Sequence, residues 1–226
     1  MHPTPSQLHE EQSRIAREIT LKPIDLSTVN LIAGITAIPI GDTITAVAVI
    51  VRYPSCEVVE KKTVTRKAPM HYIPGLEAFR EGPIAMEAYY ELEYTPDVIL
   101  VKGHGVAHPS HCGLASYIGV ETQKPTIGVA LKPVTEVHGE QLLLDGETLG
   151  IIVTTRQHAN PLSVSPGNLI TISECKTLVG QLTHYPHKLP EPLHIAQKIA
   201  KKGTSEKTSE TNDQLVEEEY LIEVAV

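Results

Sequence analysis

The 226-residue sequence is poor in aromatic side chains, with one Phe, eight Tyr and no Trp. Its core must therefore be built from Ile, Val, Leu and Ala. Basic residues are also in the minority, because 19 Lys and Arg stand against 27 Asp and Glu, for a formal net charge of −8. Since nonspecific affinity for nucleic acid comes mainly from clustered Lys and Arg, this balance argues against a broad polyphosphate-binding surface. It does not exclude a local basic groove.

Cysteines and long apolar runs are scarce as well. Cys56, Cys112 and Cys175 are widely spaced, odd in number and without a CxxC pair, so neither a disulfide framework nor a zinc ribbon is indicated. We expect all three to be small core residues. The first twenty residues contain no apolar signal-like core, and no apolar run approaches the ~18 residues of a membrane span. These absences favour a protein of the reducing cytoplasm with no membrane association.

Turn residues and apolar periodicity predict a mixed α/β fold. Apolar, β-branched runs around Gly41-Asp42, and a second turn at residues 53–55, predict three antiparallel strands in meander order. The continuous apolar runs at 98–101 and 125–131 are typical of buried strands in a parallel sheet. Further predicted elements are helices at 7–20, 76–94 (with a possible break at Gly82-Pro83), 113–120 and 189–202, a hairpin turning at Asp145-Gly146, and a turn followed by a helix within 161–182.

This order of elements suits an RNase H-like layout, in which helices flank a sheet of three meander strands plus parallel strands, among several other layouts. We expect residues 1–202 to form that domain. Residues 203–226 read as a polar, disordered linker followed by an acidic and apolar tail. The tail is either a solvated extension or a docking segment for a protein partner.

One stretch, VILVKGHGVAHPSHCGLAS at 98–116, carries most of the chemical signal. A buried strand runs there into a loop rich in Gly and His. A carboxylate that could hold a metal is expected at such a junction, yet the chain has Lys102. The side chains of His104, His108, His111 and Cys112 are spaced so that they could bind Zn²⁺. The alternative is that these side chains do not converge and serve structural or phosphate-facing roles.

The chain resembles the endonuclease V family through motifs that occur in the same order over about residues 8–200. The matching segments are LIAG at 31–34, HYIPGLEAFREGP at 71–83, DVILVKGHGVAHP at 97–109, CGLASYIGV at 112–120, PTIGVALK at 125–132, NPLSVSPGN at 160–168 and LPEPLHIA at 189–196. The resemblance implies an RNase H-like fold and recognition of inosine or deoxyinosine in DNA or RNA. It also implies hydrolysis of the second phosphodiester bond 3′ to the lesion, dependent on Mg²⁺ or Mn²⁺.

Several residues of the family pattern are retained. By resemblance, Glu81 would be a metal ligand and His108 a catalytic position. The wedge beside the lesion would comprise Tyr72, Ile73, Pro74 and Gly75. The lesion pocket would be built by Gly103, His104, Gly105 and Gly113.

The departures from the family pattern concentrate on the chemistry. The two metal-binding Asp positions are Thr36 and Lys102, so Glu81 is the single carboxylate left of three. The other departures are His71, Ser110, Tyr117, Leu131 and Asn168, where the family has Pro, Arg, His, Lys and His. An ammonium 4 Å from a divalent cation would repel it by roughly 4 kcal/mol per unit charge at an effective dielectric near 20. We therefore expect a weak metal site or none, and impaired cleavage.

Our hypothesis for the altered centre is that Lys102 occupies the metal's place and pairs with Glu81. Asp42 and Asp97 are not expected to replace the missing ligands. Three functions remain compatible with the sequence: an inosine-specific endonuclease with an altered centre, a lesion-binding protein that cannot cut, and a protein-interaction scaffold on the same fold.

Overall fold

The computed structural model describes residues 3–156 and 159–202. A nine-stranded sheet forms its centre. The strands are β1 (Leu31–Ile40), β2 (Thr43–Arg52), β3 (Val58–Lys67), β4 (Val98–Val101), β5 (Thr126–Ala130), β6 (Glu136–His138), β7 (Gln141–Leu144), β8 (Glu147–Val153) and β9 (Leu162–Asn168). Their order across the sheet is β3-β2-β1-β4-β5-β9-β8-β7-β6.

Helices cover both faces of this sheet. They are α1 (Pro5–Glu18), α2 (Glu77–Tyr90), α3 (Leu114–Thr122), α4 (Ile172–Gln181) and α5 over residues 191–202. α1 begins at a capping box, in which the Thr4 hydroxyl accepts from the Gln7 N–H and the Gln7 side chain accepts from the Thr4 N–H. Helices α4 and α5 bury one face of the sheet, and α2 and α3 bury the other.

The predicted mixed sheet is confirmed. Strands β1 to β3 form the antiparallel meander, and Gly41 adopts φ +53° in the first turn. Strand β4 runs parallel to both β1 and β5, so the carboxyl ends of all three meet at one edge. Because both faces are covered, these strands read as continuous apolar runs rather than alternating ones. This is an RNase H-like sheet flanked by helices.

One detail of the sequence prediction was wrong. Residues 162–168, predicted as a turn, form β9, which pairs with β5 and β8. Pro166 is tolerated there because β8 pairs only as far as Val164, which leaves the Pro166 position without a neighbour strand on that side. At Gly82-Pro83, where the sequence left a break or a helix start open, α2 continues without interruption.

The polar run and acidic tail predicted at 203–226 lie outside the described residues. Within residues 3–156 and 159–202, no helix combines the length and apolarity needed to cross a membrane.

Candidate functional site

A cavity of about 430 Å³ opens where the chain leaves the carboxyl end of β4. The cavity is lined by the loop after β4, by the first two turns of α2 and by the loop that precedes α2. The lining residues are Tyr72, Pro74, Gly75, Glu77, Ala78, Glu81, Lys102, Gly103, His104, His108, Pro109, Cys112, Gly113, Leu114 and Val134. The structure thus brings together residues that lie up to 62 positions apart, and most of them belong to the motifs identified in the sequence.

One side of the cavity, which we call the wall, is the loop of residues 103–113, held by its backbone. The N–H of Gly105 donates to the Ser165 hydroxyl (3.0 Å), and the N–H of Val106 donates to the Pro166 carbonyl (2.7 Å). A Cβ on Gly105 would lie 2.0 Å from the Pro166 carbonyl oxygen, and one on Gly128 would lie 2.3 Å from the Gly105 nitrogen. Glycine is therefore required at both positions by close packing of backbone on backbone.

The opposite side is the loop of residues 71–76, with Tyr72 at its tip. The ring of Tyr72 is 59% exposed, and its hydroxyl donates to Glu77 Oε1 (3.0 Å). Gly75 has φ +84°, and its N–H donates to the same carboxylate oxygen (3.2 Å). Glu77 therefore fixes the loop at both ends of the turn, and it is a site residue that the motif comparison did not single out.

Gln12 of α1 ties the two sides together. Its side-chain amide is buried and donates to the carbonyls of Gly75 (2.8 Å) and Cys112 (3.0 Å). Sequence reasoning missed this residue, because a Gln in a polar helix carries no signal of a contact 63 and 100 positions away. Its two hydrogen bonds link the loop before α2 to the loop after β4.

A charged corner, consisting of Thr36, Glu81 and Lys102, occupies the end of β4. The N–H of Lys102 donates to the Ile35 carbonyl (2.9 Å), which extends the β1–β4 ladder by one residue and makes Thr36 its neighbour. Thr36 is completely buried and does not line the cavity, and its hydroxyl has no hydrogen-bond partner among the described residues. Glu81 and Lys102 both line the cavity.

The predicted ion pair between Glu81 and Lys102 is not formed: within the described part of the chain, neither side chain makes a direct ion pair. Burial raises the pKa of Glu81 to about 7, with Glu77 adding to the rise and Lys102 opposing it. Burial lowers the pKa of Lys102, as does the nearby charge of Lys201 on α5. Glu81 and Lys102 are thus two half-buried groups that influence each other electrostatically without forming a direct ion pair.

Two histidines of the wall, His104 and His108, are held in the neutral form. Burial lowers the pKa of His104 to about 4 and also lowers the pKa of His108. The N–H of Ser110 donates to Nδ1 of His108 (3.3 Å), which leaves the ring proton on Nε2. Burial also raises the pKa of Cys112 to about 12, so its side chain remains a thiol.

Comparison with known proteins agrees with these motifs. The endonuclease V family model matches residues 13–198. The chain is 36% identical to the endonuclease V of Methanopyrus kandleri over 205 residues, covering 87% of each, and 34% identical to that of Archaeoglobus fulgidus, covering 89% of this chain and 94% of the relative. The chain belongs to the endonuclease V family.

Solved structures of endonuclease V share this fold. The Streptomyces avermitilis protein superposes with a TM-score of 0.84 at 29% identity, covering 92% of this chain and 96% of that one. The Ciona intestinalis protein, at 22% identity and a TM-score of 0.81, covers 89% of this chain and 98% of that one. That second structure is a complex with a 24mer DNA containing an inosine followed by a ribo-adenosine.

Of the positions at which this chain departs from the family pattern, Asn168, Tyr117 and Leu131 lie outside the cavity. Asn168 accepts from the Thr20 N–H (3.0 Å) and donates to the Gly119 carbonyl (2.9 Å), at the amino end of β5 and thus away from Lys102. Tyr117 packs edge-on against Phe79, with ring centroids 5.9 Å apart. Leu131 is 43% exposed just after β5. The first two are packing positions in this chain.

The residues present do not fit a divalent cation. Mg²⁺ prefers carboxylate oxygens in a near-octahedral arrangement. The corner offers one carboxyl group, a buried neutral hydroxyl and an ammonium. Across residues 3–156 and 159–202, no three or more His, Cys, Asp or Glu side chains are placed to share a metal ion, which also contradicts the zinc interpretation of His104, His108, His111 and Cys112.

Proposed function

We propose that this endonuclease V-family protein binds inosine in DNA or RNA through the cavity beside Tyr72, and that it lacks efficient metal-dependent hydrolysis of the strand. The binding half of the proposal follows from the retained wall and wedge loop. The second half follows from the donor set of the charged corner.

The observation that carries the binding proposal is the position of Tyr72 between two concave surfaces. One is the cavity described above. The other is a more open groove of about 900 Å³, lined by Tyr72, Ile73 and, among others, Lys67 and Arg80. An exposed aromatic ring between the cavity and the groove can stack on a base or fill the gap that a displaced base leaves. The rest of the strand would then follow the groove. The groove's basic residues suit a phosphate backbone.

The cavity itself suits a displaced purine. Its volume lies in the range of small-molecule sites, and its lining is mostly apolar, with a few polar groups at fixed positions. Neutral imidazoles and backbone groups can exchange hydrogen bonds with the edge of a base without placing a charge beside it. The inosine-containing DNA bound by the Ciona intestinalis relative is of the kind that we propose as the ligand here.

The proposed loss of hydrolysis rests on chemistry that the corner cannot supply. Phosphodiester hydrolysis by metal-dependent nucleases needs a cation to activate water and to stabilise the leaving oxygen. Thr36 and Lys102 remove two anionic ligands and add a positive charge, and the raised pKa of Glu81 leaves its carboxyl only partly ionised near neutral pH.

Binding is tested by fluorescence anisotropy with labelled single-stranded oligonucleotides that differ only in one base: inosine, adenosine or guanosine. We expect the inosine oligonucleotide to bind at least tenfold more tightly than the adenosine one. Equal affinity for all three would contradict the binding proposal. Matched DNA and RNA series would identify the natural backbone.

Hydrolysis is tested on a denaturing gel with end-labelled inosine oligonucleotides and excess protein in Mg²⁺ or Mn²⁺, beside Glu81→Gln. We expect uncut substrate in both lanes. The double variant Thr36→Asp/Lys102→Asp restores the family's carboxylates. It should gain Mn²⁺-dependent thermal stabilisation and cleavage one nucleotide beyond the inosine. Cleavage by the unmodified protein that disappears in Glu81→Gln would overturn this half of the proposal.

A further inference from the structure

Lys102 is a half-buried cation without a direct counterion. It lines the cavity at the end of β4, and within residues 3–156 and 159–202 it makes no ion pair and no side-chain hydrogen bond. A charge removed from water without a partner is costly, and proteins usually neutralise or pair such a group. The position therefore has a physical need for an anion that the described part of the chain does not meet.

The surroundings of Lys102 favour an anion from outside the protein. The carboxyl group that faces the same cavity, that of Glu81, lies beyond ion-pair distance of Lys102. The neighbouring imidazoles of His104 and His108 are neutral, and the latter presents a ring N–H. An oxyanion in the cavity would find a cation and hydrogen-bond donors together.

We propose that Lys102 binds one phosphate of the nucleic-acid backbone at the place where the family's carboxylates would hold a divalent cation, so that inosine-containing strands bind this protein without any metal. The inference rests on the binding half of the proposed function and extends it. A Lys ammonium is a compact point charge suited to a phosphate oxygen. In this interpretation the substitution of Asp by Lys replaces a cation held by carboxylates with a cation that is part of the chain.

The primary test is binding of the single-inosine oligonucleotide in EDTA and in Mg²⁺, with the full-length protein and the variants Lys102→Met and Lys102→Arg. We expect the unmodified protein to bind equally in EDTA and in Mg²⁺, within twofold. Lys102→Met should lower the affinity at least ~10-fold and reduce the slope of log affinity against log salt by about one. Lys102→Arg should keep most of the affinity. The matched control is Lys124→Met, since Lys124 is also half-buried but lies at the opposite end of the sheet, before β5.

A second measurement separates phosphate binding from a structural role. Oligonucleotides with one uncharged methylphosphonate, placed in turn at each of the three linkages 3′ to the inosine, should bind the unmodified protein weakly at one linkage only. Lys102→Met should be insensitive at that same linkage, because the contact is already lost. A variant that had merely altered the fold would lose affinity for all of these oligonucleotides alike.

The outcomes distinguish this inference from the proposed function. Suppose that the unmodified protein prefers inosine, but that Lys102→Met and the unmodified protein have equal affinity in EDTA. The role of Lys102 is then overturned and inosine recognition stands. The same conclusion follows if binding requires a divalent cation. If the unmodified protein shows no preference for inosine, the proposed function fails first.

Discussion

The wall of the cavity and its charged corner leave the same strand, β4, yet they are built in different ways. The wall is fixed by backbone hydrogen bonds and by glycines packed on carbonyl groups, so its shape depends little on which ions are present. The corner consists of side chains that are half-buried or buried and that are not directly paired with any described residue. A scaffold of this kind allows the chemistry at the corner to change while the shape of the cavity persists.

The largest expected effect is on the wall. Gly105→Ala would place a methyl group 2.0 Å from the Pro166 carbonyl oxygen, and backbone on both sides prevents an easy shift. We expect it to lower the free energy of unfolding by at least about 3 kcal/mol, measured by urea denaturation. The control is Gly180→Ala in α4, where no atom lies near the added group and Ala should stabilise by up to about 1 kcal/mol. Similar stability of the two variants would contradict a packed wall.

The next effect concerns the corner and depends on pH. Because the folded-state pKa of Glu81 is about 7 against an ordinary 4.5, its contribution to stability is fully present below pH 4.5 and is lost as the pH rises through 7. Glu81→Gln should therefore leave stability unchanged at pH 4 and raise it at pH 8 by up to about 3 kcal/mol. Urea denaturation in EDTA across this range gives the measurement, with the exposed Glu10→Gln as a control.

His104 should show the opposite dependence. Its folded-state pKa is about 4 against an ordinary 6.5, so its contribution is present above pH 6.5 and is lost as the pH falls through 4. The two groups nearly cancel in the unmodified protein between pH 4.5 and 6.5. Over that range, Glu81→Gln should become less stable as the pH falls, and His104→Gln less stable as it rises. Parallel pH profiles for the two variants would show that burial does not control these groups.

A smaller effect is expected at the wedge loop, and it should appear in binding rather than in stability. Tyr72→Ala removes the exposed ring, and stacking on a base contributes about 1–3 kcal/mol. We expect affinity for the inosine oligonucleotide to fall at least about 5-fold at unchanged melting temperature. Tyr94→Ala, which removes another exposed ring outside the cavity, should bind normally. Equal losses in both variants would count against the wedge.

The smallest effect is expected at Leu131, where the family pattern has Lys. The side chain is 43% exposed and does not line the cavity. Leu131→Lys should change stability by less than about 0.5 kcal/mol and should restore no cleavage, as judged by the denaturing gel. Restored cleavage would mean that the chemistry of the site extends beyond the corner.

The sequence predicted most of the sheet, because its signals are local. Gly41-Asp42 lies between two β-branched runs, and the VILV run at 98–101 is apolar on both faces; turns and buried strands of this kind are encoded by neighbouring residues. The prediction failed at Pro166 and Gly167. These residues read as a turn, but they belong to a strand whose hydrogen bonds come from segments distant in sequence.

The candidate site shows the same division. The motifs identified Tyr72, Glu81, Lys102, His104 and His108, and all five line one cavity. The motifs did not identify Gln12, whose contacts are 63 and 100 positions away, or Glu77, which accepts hydrogen bonds from Tyr72 and Gly75. They also predicted an ion pair at the corner that the structure does not form.

By itself, the sequence determined the family, the apolar strands and the residue types available to the chemistry, because each depends on identity and local order. Tertiary structure alone decided that Thr36 is completely buried, that Asn168 packs at the far end of β5, and that Lys102 faces the cavity without a direct partner among the described residues. Distance and burial set the strength of a charge interaction, and both arise only when remote segments pack together.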